Sequence, residues 1–180
     1  MSVRSDEDLM SAVTRGDLSA FNEIVLRHQK LAWGIAYGFL GDRHEAEDVA
    51  QEAFLRILDA ASRYKPTAAF PTYLSRIVTR LCLDRARKKR PMPTDRLPVV
   101  QNGDVSAAER MAVLDRNRLI RESLDRLPPS QRMAVVLRYF EGLDCRSVAS
   151  AMETTVKAVE RLLARARDTL EPLLAELSEQ

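Results

Sequence analysis

Apolar residues recur at intervals of three and four along almost the whole chain, and this helical periodicity limits the possible folds more than any other feature of the sequence. In the segment 41–58, for example, the alanines, valine, phenylalanine, isoleucine and leucine fall mostly on one side of a helix. Nowhere does the sequence alternate convincingly between apolar and polar residues over the roughly 4 to 8 positions of a half-buried strand. The sequence therefore predicts an all-α fold.

Helix-capping residues and helix breakers divide the chain into separate helices. Asp42 and Glu45, for example, have the spacing of a capping box at a helix start. In the segment 91–105, three prolines, an asparagine and a glycine interrupt the helical period, which is typical of a linker. We expect two small helical domains, residues 1–90 and 106–180, joined by this flexible linker.

Charge is distributed unevenly, although 28 basic and 26 acidic side chains leave a net charge of only +2. Residues 1–60 hold 6 basic and 11 acidic side chains, a net of −5, whereas residues 61–90 hold 9 basic and 1 acidic side chain, a net of +8. Such asymmetry is typical of a chain with two kinds of partner, one basic and one acidic. A nucleic-acid partner is therefore compatible with the small total charge.

The predicted helix within residues 41–58 has an acidic outer face. Asp48 and Glu52 lie one turn apart there, and two like charges at that spacing disfavour an isolated helix by a few tenths of a kcal/mol. A basic partner would offset this repulsion. An ordinary solvated acidic face is the alternative, and it stays open at this point.

The next predicted helix, residues 69–89, has a basic face with aromatic residues close by. Arg76 and Arg80 recur one turn apart in mid-helix, and Tyr64, Phe70 and Tyr73 lie nearby in the sequence. Arginines neutralise phosphates and aromatic rings stack on unpaired bases, so such a face suits single-stranded nucleic acid. The aromatic residues at 70 and 73 also fit the apolar stripe of the helix, so a core role for them stays open.

Residues 144–170 fit a helix-turn-helix at several independent positions. Asp144 and Thr155 can cap the two helices, and Ala149 supplies a small residue where the helices cross. Glu153 stands in the turn where glycine is usual, which predicts a non-glycine residue at positive φ. An αα-hairpin with a solvated charged face is the alternative.

The second helix of this motif exposes a basic face. Residues near the N-terminus of such a helix reach base edges in the major groove, whereas basic residues farther along hold phosphates. We therefore expect Lys157, Glu160 and Arg161 to read bases. We expect Arg165 and Arg167 to contact phosphates.

Other features exclude several classes of protein. Cys82 and Cys145 lie far apart without a CxxC motif, which predicts two thiols rather than a disulfide or a zinc site. Neither His28 nor His44 belongs to a metal-ligand or catalytic constellation, so we expect no enzyme, no cofactor, no metal and no small-molecule substrate. No secretory signal is present and no apolar run approaches about 18 residues, so we expect a cytoplasmic protein without membrane insertion.

Three stretches together carry a resemblance to a known family. They are AEDVAQEAFLRIL and FPTYLSRIVTRLCLDRARKKR in the first half, and LPPSQRMAVVLRYFEGL leading into the helix-turn-helix. In this order and spacing the chain resembles a bacterial RNA polymerase sigma factor of the extracytoplasmic-function (ECF) type, in the sigma-70 family. The resemblance implies a non-catalytic initiation subunit that binds core RNA polymerase and directs it to promoter DNA. It also implies regulation by an anti-sigma factor.

The resemblance assigns a partner to each surface described above. It implies that the acidic helix docks on RNA polymerase through Asp48, Gln51, Glu52 and Arg56. It implies that the minus-ten element is opened and captured as single-stranded DNA by Arg63, Tyr64, Phe70, Tyr73, Arg76 and Arg80. The helix-turn-helix corresponds to the domain that reads the minus-thirty-five element as duplex, here through Thr155, Lys157, Glu160, Arg161, Arg165 and Arg167.

Two residues of the minus-ten helix depart from the family pattern. Tyr73 stands where the family usually has tryptophan, and Arg80 stands where it usually has asparagine. A tyrosine still stacks or packs, whereas Arg80 changes the polar contacts that are available. The alternative function is a helix-turn-helix regulator that binds duplex DNA without joining the polymerase, but it leaves the acidic helix and the basic face of residues 69–89 unexplained.

Overall fold

The computed structural model describes residues 4–88 and 107–178, and no strand occurs within these ranges, which confirms the all-α prediction. The first range contains α1 (Asp6–Thr14), α2 (Leu18–Leu40), α3 (Arg43–Asp59), a short 3-10 turn (Ala61–Arg63) and α4 (Phe70–Lys88). The second contains α5 (Ala107–Asp125), α6 (Pro129–Val135), a π-helical turn (Val136–Phe140), α7 (Cys145–Ala151) and α8 (Val156–Ser178).

Side-chain caps and a glycine set the ends of the first helices. Ser5 and Asp8 form a capping box at α1, in which the Asp8 amide donates to the Ser5 hydroxyl at 3.1 Å. At the start of α3, the Asp42 carboxylate accepts the Glu45 amide at 2.9 Å. The helix α2 ends at Gly41, whose φ of 72° is a left-handed conformation that glycine adopts without strain. These signals are local, which is why the sequence reveals them.

The first domain is built around α2, which packs against α1, α3 and α4. The fully buried apolar side chains of its core include Leu9, Met10, Ile24, Ile35, Phe39, Val49, Ile57, Phe70, Leu74 and Val78. Each large side chain in such a core contributes about 1.5 to 3 kcal/mol through burial. This core fixes the orientation of α3 and α4, whose opposite faces carry the candidate interfaces.

The second domain places α6, α7 and α8 around a smaller core. Its buried side chains include Leu127, Met133, Leu137, Val148, Val159, Leu163 and Ala166. A tight turn separates α7 from α8, and the two helices pack against each other as the helix-turn-helix.

The two domains pack against each other along α2 and α4. The helix α4 contacts α6 and α7, and α2 contacts the π-helical turn. Gly38 allows α2 to lie close to the π-helical turn, because a Cβ atom there would lie 2.9 Å from Cγ1 of Val136, closer than two carbon atoms pack. The predicted linker, 91–105, lies outside the described residues, and the domain limits at 90 and 106 stay predictions.

Candidate protein and nucleic-acid interfaces

The outer face of α3 carries the four residues predicted to dock on the polymerase. Because Ala46, Val49, Ala53 and Ile57 turn inward at helical spacing, the opposite side presents Asp48, Gln51 and Arg56 as exposed residues and Glu52 as a half-buried one. The Glu52 carboxylate accepts hydrogen bonds from Arg56 at 2.6 Å and from Arg85 of α4 at 3.4 Å. The repulsion between Asp48 and Glu52 is therefore partly offset within the chain, and it does not by itself require a basic partner.

An apolar groove of about 820 Å³ lies beside this face, between α2 and α3. Its walls include Phe21, Val25, Trp33, Phe54 and Leu55, and Gln51 of the α3 face also lines it. Leu55 is 60% exposed, and an apolar patch bordered by charged residues is typical of a protein interface. Sequence reasoning missed this groove; its signal was Leu55, an apolar residue on the polar face of α3.

The aromatic residues predicted to capture the minus-ten strand have different environments. Tyr64 and Tyr73 are half-buried neighbours, with ring centroids 5.2 Å apart and planes at 60°. Burial raises the pKa of both phenols. Phe70 is fully buried, and its ring centroid lies 5.0 Å from that of His28. Phe70 therefore has the core role left open above, and its ring is not accessible to a DNA base in this structure.

The three arginines predicted at the minus-ten strand also differ in their contacts. Arg63 is exposed in the 3-10 turn before α4. Arg76 donates to Ser150 of α7, from Nε to the main-chain oxygen at 3.2 Å and from Nη2 to Oγ at 3.0 Å. Arg80 donates from Nη2 to the Glu153 carboxylate at 2.8 Å. Two of the three arginines thus bind the second domain.

The helix-turn-helix has the caps and the turn that the sequence predicts. The Asp144 carboxylate accepts the Ser147 amide at 2.7 Å at the start of α7, and this hydrogen bond lowers the pKa of the carboxyl group. The Thr155 hydroxyl accepts the Ala158 amide at 3.2 Å at the start of α8. Glu153 has a φ of 52°, as expected for the turn position where glycine is usual.

The residues predicted to face promoter duplex lie on the accessible side of α8 and its N-cap. All six are exposed: Thr155, Lys157, Glu160, Arg161, Arg165 and Arg167. Arg165 lines a cleft that includes Leu83 of α4, whereas Arg167 lines a groove that includes Val135 of α6. The two arginines therefore lie at opposite edges of the exposed face, an arrangement that suits contacts to two separate phosphate backbones.

The groove beside Arg167 is a second surface that sequence reasoning missed. It encloses about 540 Å³ between α6, the π-helical turn and α8, and Tyr139, Leu163 and Leu170 line it. Tyr139 is 62% exposed and the adjacent Phe140 is 52% exposed. Its signal in the sequence was this aromatic pair at the end of a helix, next to a charged residue and a glycine.

Candidate metal ligands do not cluster within the described ranges, where no group of three or more His, Cys, Asp or Glu side chains is placed to hold an ion. Cys82 and Cys145 are free thiols. Burial raises the pKa of the Cys82 thiol to about 12. No helix in the described part of the chain combines the length and the hydropathy needed to span a bilayer.

Two family models match the chain, one in each domain. The model described as "Sigma-70 region 2" matches residues 24–91, and the model described as "Sigma-70, region 4" matches residues 117–170. The RNA polymerase sigma-H factor of Pseudomonas aeruginosa is 32% identical over 95% of this chain and 96% of its own. The ECF RNA polymerase sigma factor SigW of Bacillus subtilis is 31% identical over 92% of this chain and 94% of its own.

Solved structures show the same fold. The structure of CnrH in complex with the cytosolic domain of CnrY has a TM-score of 0.70 at 24% identity, covering 96% of this chain and 99% of that one. The sigma factor RpoE, in complex with the anti-sigma factor NepR from Bartonella quintana, has a TM-score of 0.68 at 16% identity, covering 86% and 96%. The family models and the sequence relatives show that the chain belongs to the sigma-70 family as an ECF-type RNA polymerase sigma factor, a non-catalytic protein that directs promoter recognition.

Proposed function

We propose that this sigma factor docks on core RNA polymerase through α3 and recognises promoter DNA through two separate surfaces, one in each domain. The observation that carries the proposal is the separation of charge between helices. The outer face of α3 is largely acidic, whereas α4 and α8 present arginines on faces that do not coincide with it. One acidic and two basic surfaces suit one protein partner and two DNA segments.

The proposed docking surface combines charge with apolar area. Asp48, Gln51, Glu52 and Arg56 form its polar part, and the groove beside Leu55 forms its apolar part. Gln51 belongs to both, so the two parts are continuous. A partner helix with an apolar side chain flanked by basic residues fits this surface, because the groove supplies buried area and the acids supply complementary charge.

The proposed minus-ten surface consists of Arg63, Tyr64, Tyr73, Arg76 and Arg80. Stacking on an aromatic ring contributes about 1 to 3 kcal/mol per base, and extracting a base from duplex costs a few kcal/mol. For the sigma factor alone, the free energy gained by stacking therefore nearly equals the free energy needed to extract the base. We expect melting to need further contacts from the polymerase, and we expect the isolated chain to bind promoter duplex weakly.

The proposed minus-thirty-five surface is the exposed side of α8. Its N-terminal residues Lys157, Glu160 and Arg161 would read base edges, and Arg165 and Arg167 at its two edges would hold phosphates. Thr155 has a structural role as the N-cap of α8 and lies beside the same surface.

An anti-sigma factor is the proposed regulatory partner. RpoE, which shares this fold, was solved in complex with the anti-sigma factor NepR. The groove between α2 and α3 offers an apolar site at the proposed docking surface, where an inhibitor would exclude the polymerase. Competition between the two for this chain is therefore expected.

Complex formation with core RNA polymerase tests the docking surface. Asp48→Arg together with Glu52→Arg is expected to abolish the stoichiometric complex in size-exclusion chromatography and to keep the helical circular dichroism spectrum. Because Glu52 also pairs with Arg56 and Arg85, Asp48→Arg alone serves as a variant that leaves these pairs intact.

A matched control is Glu7→Arg, the same charge reversal at an exposed position of α1. This variant is expected to bind like the wild type. Unchanged polymerase affinity in the double variant would reject the docking surface, and absence of any complex with the wild-type chain would favour a regulator that acts without the polymerase.

A further inference from the structure

We propose that the second domain competes with promoter DNA for the arginines of α4, and that the Arg80–Glu153 pair is a latch of this closed arrangement. The inference rests on the proposed role of Arg76 and Arg80 in the minus-ten surface. It adds an inhibitor that belongs to the chain itself.

The contacts themselves resemble those that a DNA backbone would make. Arg76 binds the main-chain and hydroxyl oxygens of Ser150, in the last turn of α7, and Arg80 binds a carboxylate oxygen of Glu153. The C-terminal end of a helix carries a partial negative charge. The second domain thus occupies, with its own oxygen acceptors, the same guanidinium groups that would bind phosphates, so the two ligands would exclude each other.

One residue of the latch departs from the usual pattern of its motif. Glu153 stands in the turn of the helix-turn-helix where glycine is usual, at a φ of 52° that disfavours a side chain. A glycine there has no carboxylate, so the usual residue does not allow this ion pair. Nη2 of Arg80 lies 2.8 Å from a carboxylate oxygen of Glu153.

Packing elsewhere in the interface supports the closed arrangement. Gly38 of α2 lies against Val136, and the Thr79 hydroxyl of α4 lies 3.8 Å from the sulfur of Met133. Thr79 and Met133 are both buried, so this part of the interface excludes water. The latch therefore adds to the stability of a closed arrangement that apolar contacts also favour.

The strength of the latch follows from its exposure. The side chains of Arg80 and Glu153 are 61% and 48% exposed, and such pairs shift an equilibrium by about 2- to 5-fold. DNA binds the α4 surface only in the open state. The apparent affinity of the chain for DNA is therefore the affinity of the open state multiplied by the fraction of chains that are open. Breaking the latch should raise that affinity by the same 2- to 5-fold.

Domain separation in the full chain tests the latch directly. Dyes on Asp59→Cys of α3 and Asp168→Cys of α8, in a Cys145→Ser background, report the distance by energy transfer; Cys82 is buried and stays unlabelled. Glu153→Arg should increase the separation. Combining Glu153→Arg with Arg80→Glu should restore the wild-type separation, since the swapped charges attract again. Unchanged energy transfer in Glu153→Arg would overturn the latch.

Binding of a fluorescein-labelled single-stranded DNA of mixed sequence tests the competition. Glu153→Gln is expected to raise the affinity of the full chain about 2- to 5-fold. Asp168→Asn, which removes one exposed negative charge from α8, controls for net charge and should give a smaller change. Equal changes in the two variants would reject the competition.

A different result is expected if the minus-ten surface itself is assigned wrongly. Arg63 belongs to the proposed minus-ten surface but has no part in the latch, so Arg63→Ala in the Glu153→Gln background should weaken DNA binding. If Arg63→Ala has no effect while energy transfer still responds to Glu153→Arg, the minus-ten assignment fails and the closed arrangement stands as a domain contact without the proposed competition.

Discussion

Arg121 of α5 joins the two domains at the end of α2, where its Nη1 atom donates to the main-chain oxygen of Gly38 at 2.9 Å. Its Nη2 atom donates to the main-chain oxygen of Phe39 at 3.0 Å and pairs with Asp125 at 3.2 Å. Burial lowers the pKa of the guanidinium group, and the carboxylate of Asp125 opposes that shift. A cation from the second domain therefore satisfies the terminal carbonyls of a helix in the first.

Removing this cation should destabilise the folded chain. Arg121→Ala removes the charged donor of the Gly38 carbonyl oxygen and leaves that of Phe39 with only the longer bond from Arg132, at 3.4 Å. Hydrogen bonds to charged groups contribute about 1.5 to 3 kcal/mol each. We expect the free energy of unfolding in guanidinium chloride to fall by about 2 to 4 kcal/mol. Arg118→Ala removes an exposed helical pair with Glu122 and should cost less than about 0.5 kcal/mol. Equal losses would contradict the capping role.

Local chemistry made much of the fold predictable. Asp42 and Asp144 cap their helices through the next few residues of the chain, so spacing alone reveals them. The positive φ of Glu153 follows from the geometry of a tight turn. The inward face of α3 follows from its helical period.

Contacts between distant segments were not predictable in the same way. Periodicity puts Arg80 on a polar face but does not say that Glu153, far along the chain, will approach it. Likewise, the like charges of Asp48 and Glu52 suggest repulsion until Arg85 is seen beside Glu52. Phe70 fits both a base-stacking and a core role in sequence, and only its surroundings distinguish them.

The Asp144 cap should make the stability of the helix-turn-helix depend on pH. Hydrogen bonds from Ser147 hold the pKa of the carboxyl group below its ordinary value of 3.8. A lowered folded pKa means that the stabilisation is complete above the unfolded value and is lost as pH falls through the folded one.

Asp144→Asn tests this, because asparagine also caps helices but does not titrate. When the pH is lowered from about 5 to about 2.5, the Tm of the variant, measured by circular dichroism, should fall less than the Tm of the wild type. Asp168→Asn, at an exposed position of α8, serves as the control. Parallel pH profiles for the wild type and Asp144→Asn would contradict the linkage.

The two cysteines should differ in reactivity. Burial keeps the Cys82 thiol protonated, with a pKa of about 12, whereas Cys145 is only partly buried. At about pH 8, the native chain should therefore show one fast thiol towards Ellman's reagent and two in denaturant. Cys145→Ser should remove the fast phase. Two fast thiols in the native chain would contradict the burial of Cys82.

Substitutions on the exposed side of α8 should distinguish residues that read bases from residues that bind phosphates. Arg161→Ala, near the N-terminal end, is expected to relax discrimination at one position of the minus-thirty-five element by about 1 to 3 kcal/mol. Arg165→Ala, at the edge of that side, should weaken binding to all sequences alike and reduce the salt slope by about 1.

Binding of the polymerase complex to a library of minus-thirty-five sequences, at several salt concentrations, measures both effects. Arg43→Ala, which removes an exposed arginine from α3, is the matched control and should change neither quantity. The two roles differ because a base edge offers a sequence-dependent set of acceptors, whereas every phosphate is the same. A uniform loss with Arg161→Ala and a position-specific loss with Arg165→Ala would exchange the two assignments.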